Sequence, residues 1–302
     1  MADDRLSGIT QFLAAVENGS FAAAAQRLGV TRSAVAKTIA KLETRLGVTL
    51  FNRTTRQQAL TIEGTLFYEH CQRMIGELRG VEASLRQGEQ CVHGKVRISA
   101  PSLYGRYCVA PILRELLVSH PRLELDVQFS DHVEDLIASG FDLAVRIGPL
   151  ADTTSLVARL VAHQRMAIFA SGTYLQQHGT PLNAADLASH WAVTYGRGAS
   201  VAPWMIADAG LLVPVQVRSR ERYDDLQVVA DAAVAGAGLA WMPRWLGMPR
   251  VESGDLRLVM DSDQVPSIDI HLLWPRTRFL PTRTRAVIEG LALGLRRPPE
   301  IE

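Results

Sequence analysis

The sequence has few cysteines, and their placement limits the kind of protein it can be. The three cysteines among 302 residues, Cys71, Cys91 and Cys108, are far apart and lack the spacing of metal ligands. This pattern argues against a disulfide framework and favours reduced thiols in a cytoplasm. A redox-sensing thiol is one interpretation of each cysteine, and a buried structural side chain is the one we favour.

Long apolar runs and a secretory signal are also missing. The most apolar stretch, residues 228–242, is interrupted by Asp231 and by glycines, and it is too short to cross a bilayer. The chain starts with the acidic run Met-Ala-Asp-Asp, and no apolar core follows it. We therefore expect a cytoplasmic protein of two or three domains, because 302 residues exceed the length of one ordinary domain.

Catalytic and cofactor motifs are absent as well. The pair Gly236 and Gly238 is not a dinucleotide fingerprint, because Trp241 stands where the third glycine would be. There is no phosphate-binding Gly-Lys-Ser/Thr loop and no Gly-x-Ser-x-Gly motif, and the eight histidines are scattered. The sequence predicts neither an enzyme nor a protein with a cofactor or a bound metal.

What the sequence does contain is a run of three helices near its start, two short amphipathic ones and a longer basic one. Ser20 and Thr31 can cap the second and third helices, and Gly29 ends the second. The apolar stripe of the first helix is Ile9, Phe12, Leu13 and Val16, and that of the second is Phe21, Ala24, Ala25 and Leu28. Two short helices joined by a glycine turn and followed by a longer helix are typical of a helix-turn-helix.

The third helix has two different faces. Its buried face is predicted to hold Val35, Ile39, Leu42 and Leu46, and its outer face Ser33, Ala36, Lys37 and Ala40 with Arg32 beside them. Small side chains let a helix lie deep in a major groove, while Arg, Lys and Ser supply hydrogen-bond donors to bases and phosphates.

Positive charge is concentrated around this helix. Residues 27–56 contain seven basic side chains and one acid, Glu43, although the whole chain has a net charge of only +1. A local positive field of this kind suits phosphate binding. The alternative is that these charges only form a solvated helix face. We favour DNA binding, because a helix-turn-helix precedes them and a basic hairpin with Arg53 and Arg56 follows the third helix.

A long helix is predicted next, over residues 61–90. Thr61 can cap it, and Phe67, Cys71, Met74, Leu78, Val81 and Leu85 alternate steps of four and three. This seam can pack on its own domain or pair with a second chain, and we favour the pairing. Two paired helices would hold two DNA-binding heads at a fixed distance, which matches a two-fold operator.

The first 64 residues resemble the amino-terminal signature of the LysR-type transcriptional regulators. The runs that carry the resemblance are Leu28-Gly-Val-Thr-Arg-Ser-Ala-Val-Ala-Lys, Leu42-Glu-Thr-Arg-Leu-Gly-Val-Thr-Leu-Phe-Asn-Arg-Thr-Thr-Arg and Leu60-Thr-Ile-Glu-Gly. The family often has Ser where this chain has Ala36, so target preference cannot be copied from relatives. The DNA-contacting residues that we expect are Thr31, Arg32, Ser33, Ala36, Lys37 and Lys41 from the helix, and Arg53 and Arg56 from the hairpin, or wing.

From Gly94 onward, short strands alternate with helices, which predicts βαβ units and a largely parallel sheet. Strands are predicted at 96–100, 123–129, 141–147, 166–170, 191–195, 213–217, 239–242 and 268–274, and helices at 103–118, 133–139, 172–178, 224–234 and 282–295.

The resemblance implies an α+β multidomain fold. It comprises a winged helix-turn-helix over 1–60, a linker helix over 61–90 that dimerises, and a two-lobed α/β effector domain, periplasmic-binding-protein-like, over 92–302. Lobe I would cover about 92–163 and 268–302, and lobe II about 164–267. The family also commonly forms a dimer of dimers.

A cleft between two such lobes is where a small ligand is expected. Ser102, Ser130 and Arg146 follow or end the first three strands of this domain. By resemblance they line the effector cleft, where they can hold a carboxylate. Helix capping and a structural salt bridge are the alternatives for them. Tyr195 and Trp204 can form an aromatic wall or simply core, and an uncharged or aromatic ligand fits nearly as well as a carboxylate.

The sequence thus predicts a DNA-binding transcriptional regulator controlled by a small molecule. A solute-binding protein would need an export signal and would have no use for residues 1–60. An architectural DNA-binding protein would not need a cleft.

Overall fold

The computed structural model describes residues 6–53, 58–87, 92–132, 134–151, 154–196, 203–208, 211–261 and 266–296. The chain divides into two compact units, Met1–Cys91 and Val92–Glu302. Each unit has its own hydrophobic core.

The first unit is a winged helix-turn-helix followed by a long helix. Its elements in chain order are α1 (Ile9–Glu17), α2 (Phe21–Leu28), α3 (Arg32–Leu46), β1 (Phe51–Arg53), β2 (Gln58–Leu60) and α4 (Ile62–Gln87). Strands β1 and β2 are antiparallel, with Phe51 opposite Leu60. They form the wing.

Side-chain caps set the starts of the helices, as predicted. The Ser20 hydroxyl accepts from the N–H of Ala23 at 3.1 Å, and the Thr31 hydroxyl accepts from the N–H of Ala34 at 3.2 Å. Gly29 takes a left-handed conformation with φ of 66°, which ends α2 and starts the turn.

The core of the first unit is built around Phe12, which is fully buried. Its ring centroid lies 5.5 Å from that of Phe51 and 5.3 Å from that of Phe67. Val35, Ile39 and Leu42 bury the inner face of α3, as predicted, but Leu46 in its last turn is 38% exposed. The prediction of a buried Leu46 was wrong because α3 ends there, at Gly47.

The predicted seam of α4 is divided between two environments. Cys71 is 3% exposed and belongs to the core of the first unit, and Phe67 packs against the same core. The amino-terminal part of the seam therefore packs on its own domain, which corrects the expectation that all of it pairs with another chain. Met74 and Leu78 are exposed, and the side chains of Val81 and Leu85 lie outside the described residues.

The second unit is a mixed α/β structure. Its strands are β3 (His93–Ala100), β4 (Arg122–Phe129), β5 (Leu143–Ile147), β6 (Leu156–Ala170), β7 (Trp191–Tyr195), β8 (Trp204–Asp208), β9 (Leu211–Val215), β10 (Arg218–Tyr223), β11 (Leu239–Pro243), β12 (Arg257–Val259) and β13 (Ser267–Pro275). Its helices are α5 (Ser102–Tyr104), α6 (Ala110–Ser119), α7 (Gly172–His178), α8 (Leu226–Val234), α9 (Arg244–Glu252) and α10 (Thr282–Gly294).

One large sheet runs through this unit in the order β10-β7-β11-β6-β13-β5-β3-β4, and β12 pairs with β6. Strand β3 is parallel to β4 and β5, and β7 is parallel to β10 and β11. The strands between these groups, β6 and β13, pair antiparallel with each other and with their neighbours. The sheet is therefore mixed rather than largely parallel, because the chain crosses between its two halves twice and in opposite directions.

The two crossing strands pair along residues 156–165 of β6 and 267–275 of β13, and His163 and Asp269 are register partners within this stretch. The Nδ1 atom of His163 lies 2.8 Å from Oδ1 of Asp269. Strands β5, β3 and β4 lie on one side of this crossing, in lobe I, and β11, β7 and β10 on the other, in lobe II. The crossing falls at the predicted lobe limits near 163 and 268, which stay a prediction as domain limits.

Several details of the predicted secondary structure were wrong. The helix expected over 133–139 is a turn in its described part, held by the Asp135 carboxylate, which accepts from the N–H groups of Ile137 and Ala138. Helix α9 was missed because Pro249 lies inside it. The first ten residues of β6 were missed as well, and so were the strands β8, β10 and β12. No described helix is long and apolar enough to cross a membrane.

Candidate functional site

The outer face of α3 is free of the protein core. Val35, Ile39 and Leu42 are buried, whereas Thr31, Arg32, Ser33, Lys37 and Lys41 are all exposed and Ala36 is half-buried. The helix thus presents hydroxyls, cations and a small apolar side chain to solvent on one face. That combination can bind phosphates and base edges in a major groove.

The acid of this segment, Glu43, is turned away from that face. Its Oε1 atom accepts from the backbone N–H of Leu50 at 2.7 Å and of Phe51 at 3.3 Å. Glu43 therefore ties α3 to the start of the wing. At the other end of the segment, Arg27 pairs with Glu17 at 2.7 Å.

The wing lies next to α3 in the chain and in the fold. Arg53 ends β1, but its side chain lies outside the described residues, and so does the whole of Arg56. The predicted contacts of these two arginines with DNA stay predictions. The root of the wing is firmly fixed, because Leu50 O accepts from the N–H of Thr61 at 3.0 Å and Thr49 O accepts from its hydroxyl at 2.7 Å.

The second unit contains a cleft of about 530 Å³ between its two lobes. All five residues that the sequence predicts for an effector site line it, namely Ser102, Ser130, Arg146, Tyr195 and Trp204. A cavity of this volume is typical of sites for small organic molecules. The structure brings the five residues together, and their contact with a ligand stays a prediction.

The polar groups on the lobe I side already have partners within the protein. The N–H of Ser102 donates to Oδ1 of Asp131 at 3.0 Å, and Oγ of Ser130 accepts from the N–H of His132 at 3.2 Å. Asp131 thus occupies the helix amino terminus that we expected to hold a ligand carboxylate. This N–H is therefore already bonded within the protein, and a carboxylate ligand stays a prediction.

Arg146 is also held by the protein. Its guanidinium donates to Oγ of Ser99 at 3.1 Å and to the carbonyl of Val145 at 2.9 Å. Burial lowers the pKa of Arg146, and the carboxylates of Glu134 and Asp131 act in the opposite direction. The group stays charged at neutral pH, and its charge is balanced mainly within the fold.

Aromatic rings form the lobe II side of the cleft. Trp204 is 3% exposed and stacks on Trp241, with ring centroids 6.4 Å apart and an interplanar angle of 28°. Tyr195, at the end of β7, is 37% exposed. Trp241 and Trp245 also line the cleft. The sequence pattern did not single out these two, although Trp241 is the last residue but one of the predicted strand 239–242, a position that was a usable signal.

The first helical segment of lobe I is irregular beside the cleft. Residues Gly105–Val109 form a π-helical turn between α5 and α6, and the cleft is lined by Arg106 within this turn and by Tyr104 just before it. A side chain at Gly105 would collide with the Phe129 ring. Such insertions are frequent at functional sites. Within the described parts of both units, no group of three or more His, Cys, Asp or Glu side chains could hold a metal ion.

The sequence matches two family models that together span most of its length. Residues 6–65 match the bacterial regulatory helix-turn-helix of the lysR family, and residues 90–294 match the LysR substrate binding domain. The chain is a LysR-type transcriptional regulator. The helix-turn-helix match lies within the first unit and the substrate-domain match covers most of the second, and the predicted fold class is confirmed.

Relatives of this LysR-type regulator are regulators as well. It is 32% identical to an HTH-type transcriptional regulator of Xanthomonas campestris pv. campestris, over 94% of this chain and 83% of the relative. It is 31% identical to the transcriptional activator AaeR of Escherichia coli, over 95% and 93%. A transcriptional repressor of Pseudomonas aeruginosa is 29% identical over 99% and 95%. Similarity therefore does not decide between activation and repression.

Solved structures of other regulators have a similar architecture to this LysR-type regulator. CrgA of Neisseria meningitidis, a LysR-type regulator, aligns with a TM-score of 0.60 and 26% identity over 95% of this chain and 98% of that one. The virulence activator AphB of Vibrio cholerae aligns with a TM-score of 0.58 and 26% identity over 94% and 97%.

Proposed function

We propose that this regulator recognises its operator through the outer face of α3 and the wing. The residues assigned to DNA are Thr31, Arg32, Ser33, Ala36, Lys37 and Lys41 on α3, with Arg53 and Arg56 on the wing. Ser33 and Lys37 read base edges, while the wing arginines bind the backbone or the minor groove. The exposure of the polar α3 side chains opposite a buried apolar face carries this proposal.

The regulator acts in this proposal as a homodimer on an operator of approximate two-fold symmetry, and two dimers form a tetramer. The exposed Met74 and Leu78 on α4 provide the apolar surface for the contact between the two chains of the dimer. Phe67 and Cys71 do not, because they pack in the core of the first unit. Replacing Leu78 with Glu should shift the chain toward monomers in analytical ultracentrifugation. An unchanged sedimentation coefficient would place the dimer contact elsewhere.

The cleft lined by Ser102, Ser130, Arg146, Tyr195 and Trp204 binds a small-molecule effector. Occupancy changes the angle between the lobes, and through the oligomer it changes the spacing of the DNA-binding heads and the bend of the DNA. The site of action is the cytoplasm, where the DNA is, and we assign no catalytic step.

Genome-wide capture of DNA fragments by the intact protein tests the DNA-binding part. The wild-type chain should enrich a discrete set of fragments that share a two-fold motif, and the double variant Ser33→Ala, Lys37→Ala should lose that selectivity. The proposal fails if both proteins enrich the same fragments equally.

A further inference from the structure

The charges around the cleft are not those of an anion-binding site. Its lining contains the carboxylates of Asp131, Asp224 and Asp225, and Glu134 acts on the lining residue Arg146. Two guanidinium groups oppose these four carboxylates, those of Arg106 and Arg146. The carboxylates thus outnumber the guanidinium groups at the cleft, which gives it an excess of negative charge.

Two of the hydrogen-bond donors at the cleft, Arg146 and the N–H of Ser102, already have partners inside the protein, whereas Arg106 is exposed. Arg146 donates to Ser99 and to the carbonyl of Val145, and it lies in the field of Asp131 and Glu134. The guanidinium carbon of Arg106 lies 5.4 Å from the centre of the Tyr107 ring. The amide at the helix amino terminus, Ser102 N–H, is bonded to Asp131. A ligand carboxylate would have to displace the Asp131 carboxylate to reach the N–H of Ser102.

The negative groups of lobe II are more accessible. Asp224 is exposed and lies on the cleft between the end of β10 and the start of α8. Its neighbour Asp225 accepts from the N–H of Gln227 at 2.7 Å, so one carboxylate oxygen is fixed and the side chain is held in place. These two carboxylates stand on the same side of the cleft as the aromatic wall.

That wall offers ring faces to a ligand. Tyr195, Trp241 and Trp245 are each partly exposed, and Trp204 supports Trp241 by stacking on it. Indole and phenol faces attract planar rings and cations, because the π electrons give each face a negative potential. Aromatic faces and nearby carboxylates therefore favour the same kind of ligand.

We propose that the cleft takes a planar aromatic ligand with a cationic nitrogen, an arylalkylammonium, and discriminates against organic acids of the same shape. The ring lies against Trp241 and Tyr195, and the ammonium group faces Asp224 and Asp131. The hydroxyl of Ser102, which has no hydrogen-bond partner within the described chain, is available to a polar substituent. This inference rests on the proposed function, namely that the cleft is the effector site.

Three indoles of nearly equal size but different charge test whether the charge of the ligand, rather than its shape, determines its affinity for the cleft. The full-length protein is titrated calorimetrically with tryptamine, a cation, with tryptophol, which is neutral, and with indole-3-acetate, an anion. We expect tryptamine to bind at least about tenfold more tightly than indole-3-acetate, with tryptophol between them. Tighter binding of indole-3-acetate, or no binding of tryptamine in the millimolar range, overturns the inference.

Two variants and one control locate the effect. Asp131→Asn and Asp224→Asn should each reduce the preference for tryptamine, and both replace a carboxylate with a group of equal size. Glu124→Gln removes a charge from an exposed position on β4 outside the cleft and should leave the preference unchanged. An equal loss in all three variants would mean that the net charge of the protein, not the cleft, sets the preference.

The outcomes for ligand class and for proposed function are distinguishable. If indole-3-acetate binds and tryptamine does not, the cleft is a ligand site and only the class is wrong. If tryptamine binds with the expected preference but leaves the affinity for captured operator DNA unchanged, the class stands and the regulatory role of the cleft fails.

Discussion

The indole N–H of Trp245 donates to Oε1 of Gln164 at 3.3 Å. Gln164 is buried on β6 at the crossing between the lobes, and Trp245 lies on α9 of lobe II. The same indole packs against Tyr104 and Tyr107 of lobe I, with centroid distances of 6.1 and 6.2 Å. Trp245 therefore contacts the hydrophobic cores of both lobes.

Removing this ring should loosen the second unit. We expect Trp245→Ala to lower the free energy of unfolding by roughly 2–4 kcal/mol, because it deletes a half-buried aromatic side chain from two cores. Trp245→Phe should cost about 1–2 kcal/mol, since packing is largely kept but Gln164 loses its donor. Urea unfolding of the full chain measures both. Equal costs for the two variants would assign the effect to the hydrogen bond alone.

Two glycines of α4 form a matched pair for a second prediction. A Cβ at Gly64 would overlap the carbonyl oxygen of Leu50, where the helix meets the wing, whereas one at Gly76 would meet nothing within 4 Å. Gly64→Ala should destabilise the first unit by about 1–3 kcal/mol. Gly76→Ala should be neutral or stabilise it by roughly 0.5–1 kcal/mol, because alanine favours helix. Circular dichroism during thermal unfolding distinguishes them, and a stable Gly64→Ala protein would contradict the described junction.

The buried thiols give a prediction about redox chemistry. Burial raises the pKa of Cys71 to about 11, and it also raises the pKa of Cys108. At neutral pH both thiols are protonated and unreactive in the folded chain. Iodoacetamide should therefore modify neither before the chain unfolds, as judged by mass spectrometry of peptides. Rapid modification of native Cys108 would argue for a redox role.

The same shift sets a pH dependence of stability. The folded state favours the neutral Cys71 thiol, so its contribution is present below the ordinary cysteine pKa of 9.0 and is lost as pH rises from 9 toward about 11. Cys71→Ala should remove this part of the alkaline decline in the free energy of unfolding. An identical decline in both proteins would show that other groups cause it.

Phosphate contacts and base contacts should differ in their effects: loss of the first changes the salt dependence of DNA binding, and loss of the second changes the sequence preference. Arg53→Ala should weaken binding to every sequence and reduce the slope of log K against log salt by about 0.9, because one phosphate contact is lost. Ser33→Ala should instead change the preferred bases. Lys95→Ala serves as the control, since it removes one exposed charge from the second unit. An unchanged slope for Arg53→Ala would remove the wing contact.

The helices of the first unit could be predicted from the sequence, because interactions between residues close in the chain determine them. The caps Ser20 and Thr31, the turn at Gly29 and the spacing of Val35, Ile39 and Leu42 each act within a few residues, and the structure has all of them as predicted. The burial of Cys71 in the core of the first unit could not be predicted in this way. A heptad pattern is the same whether the helix packs on its own domain or on another chain.

The cleft could be predicted only in part, because its charge balance depends on contacts between residues that are distant in the sequence. Strand ends located Ser102, Ser130 and Arg146, because these positions follow from the order of elements. The partner of Ser102 is Asp131, 29 residues away, and Trp245 bonds to Gln164 across 81 residues. No periodicity encodes such pairs, so the charge balance of the cleft emerged only from the structure.

We propose above that the outer face of α3 lies in the DNA groove, and a tethered cleavage reagent tests this placement most directly. An iron chelate is attached at Ser33→Cys in a Cys91→Ser background, and for comparison at the exposed position of Gln176→Cys in the second unit. On a captured operator fragment, cleavage from position 33 should fall at a few adjacent base pairs within each half-site. Cleavage that is absent, or spread along the fragment as it is from position 176, would contradict the account.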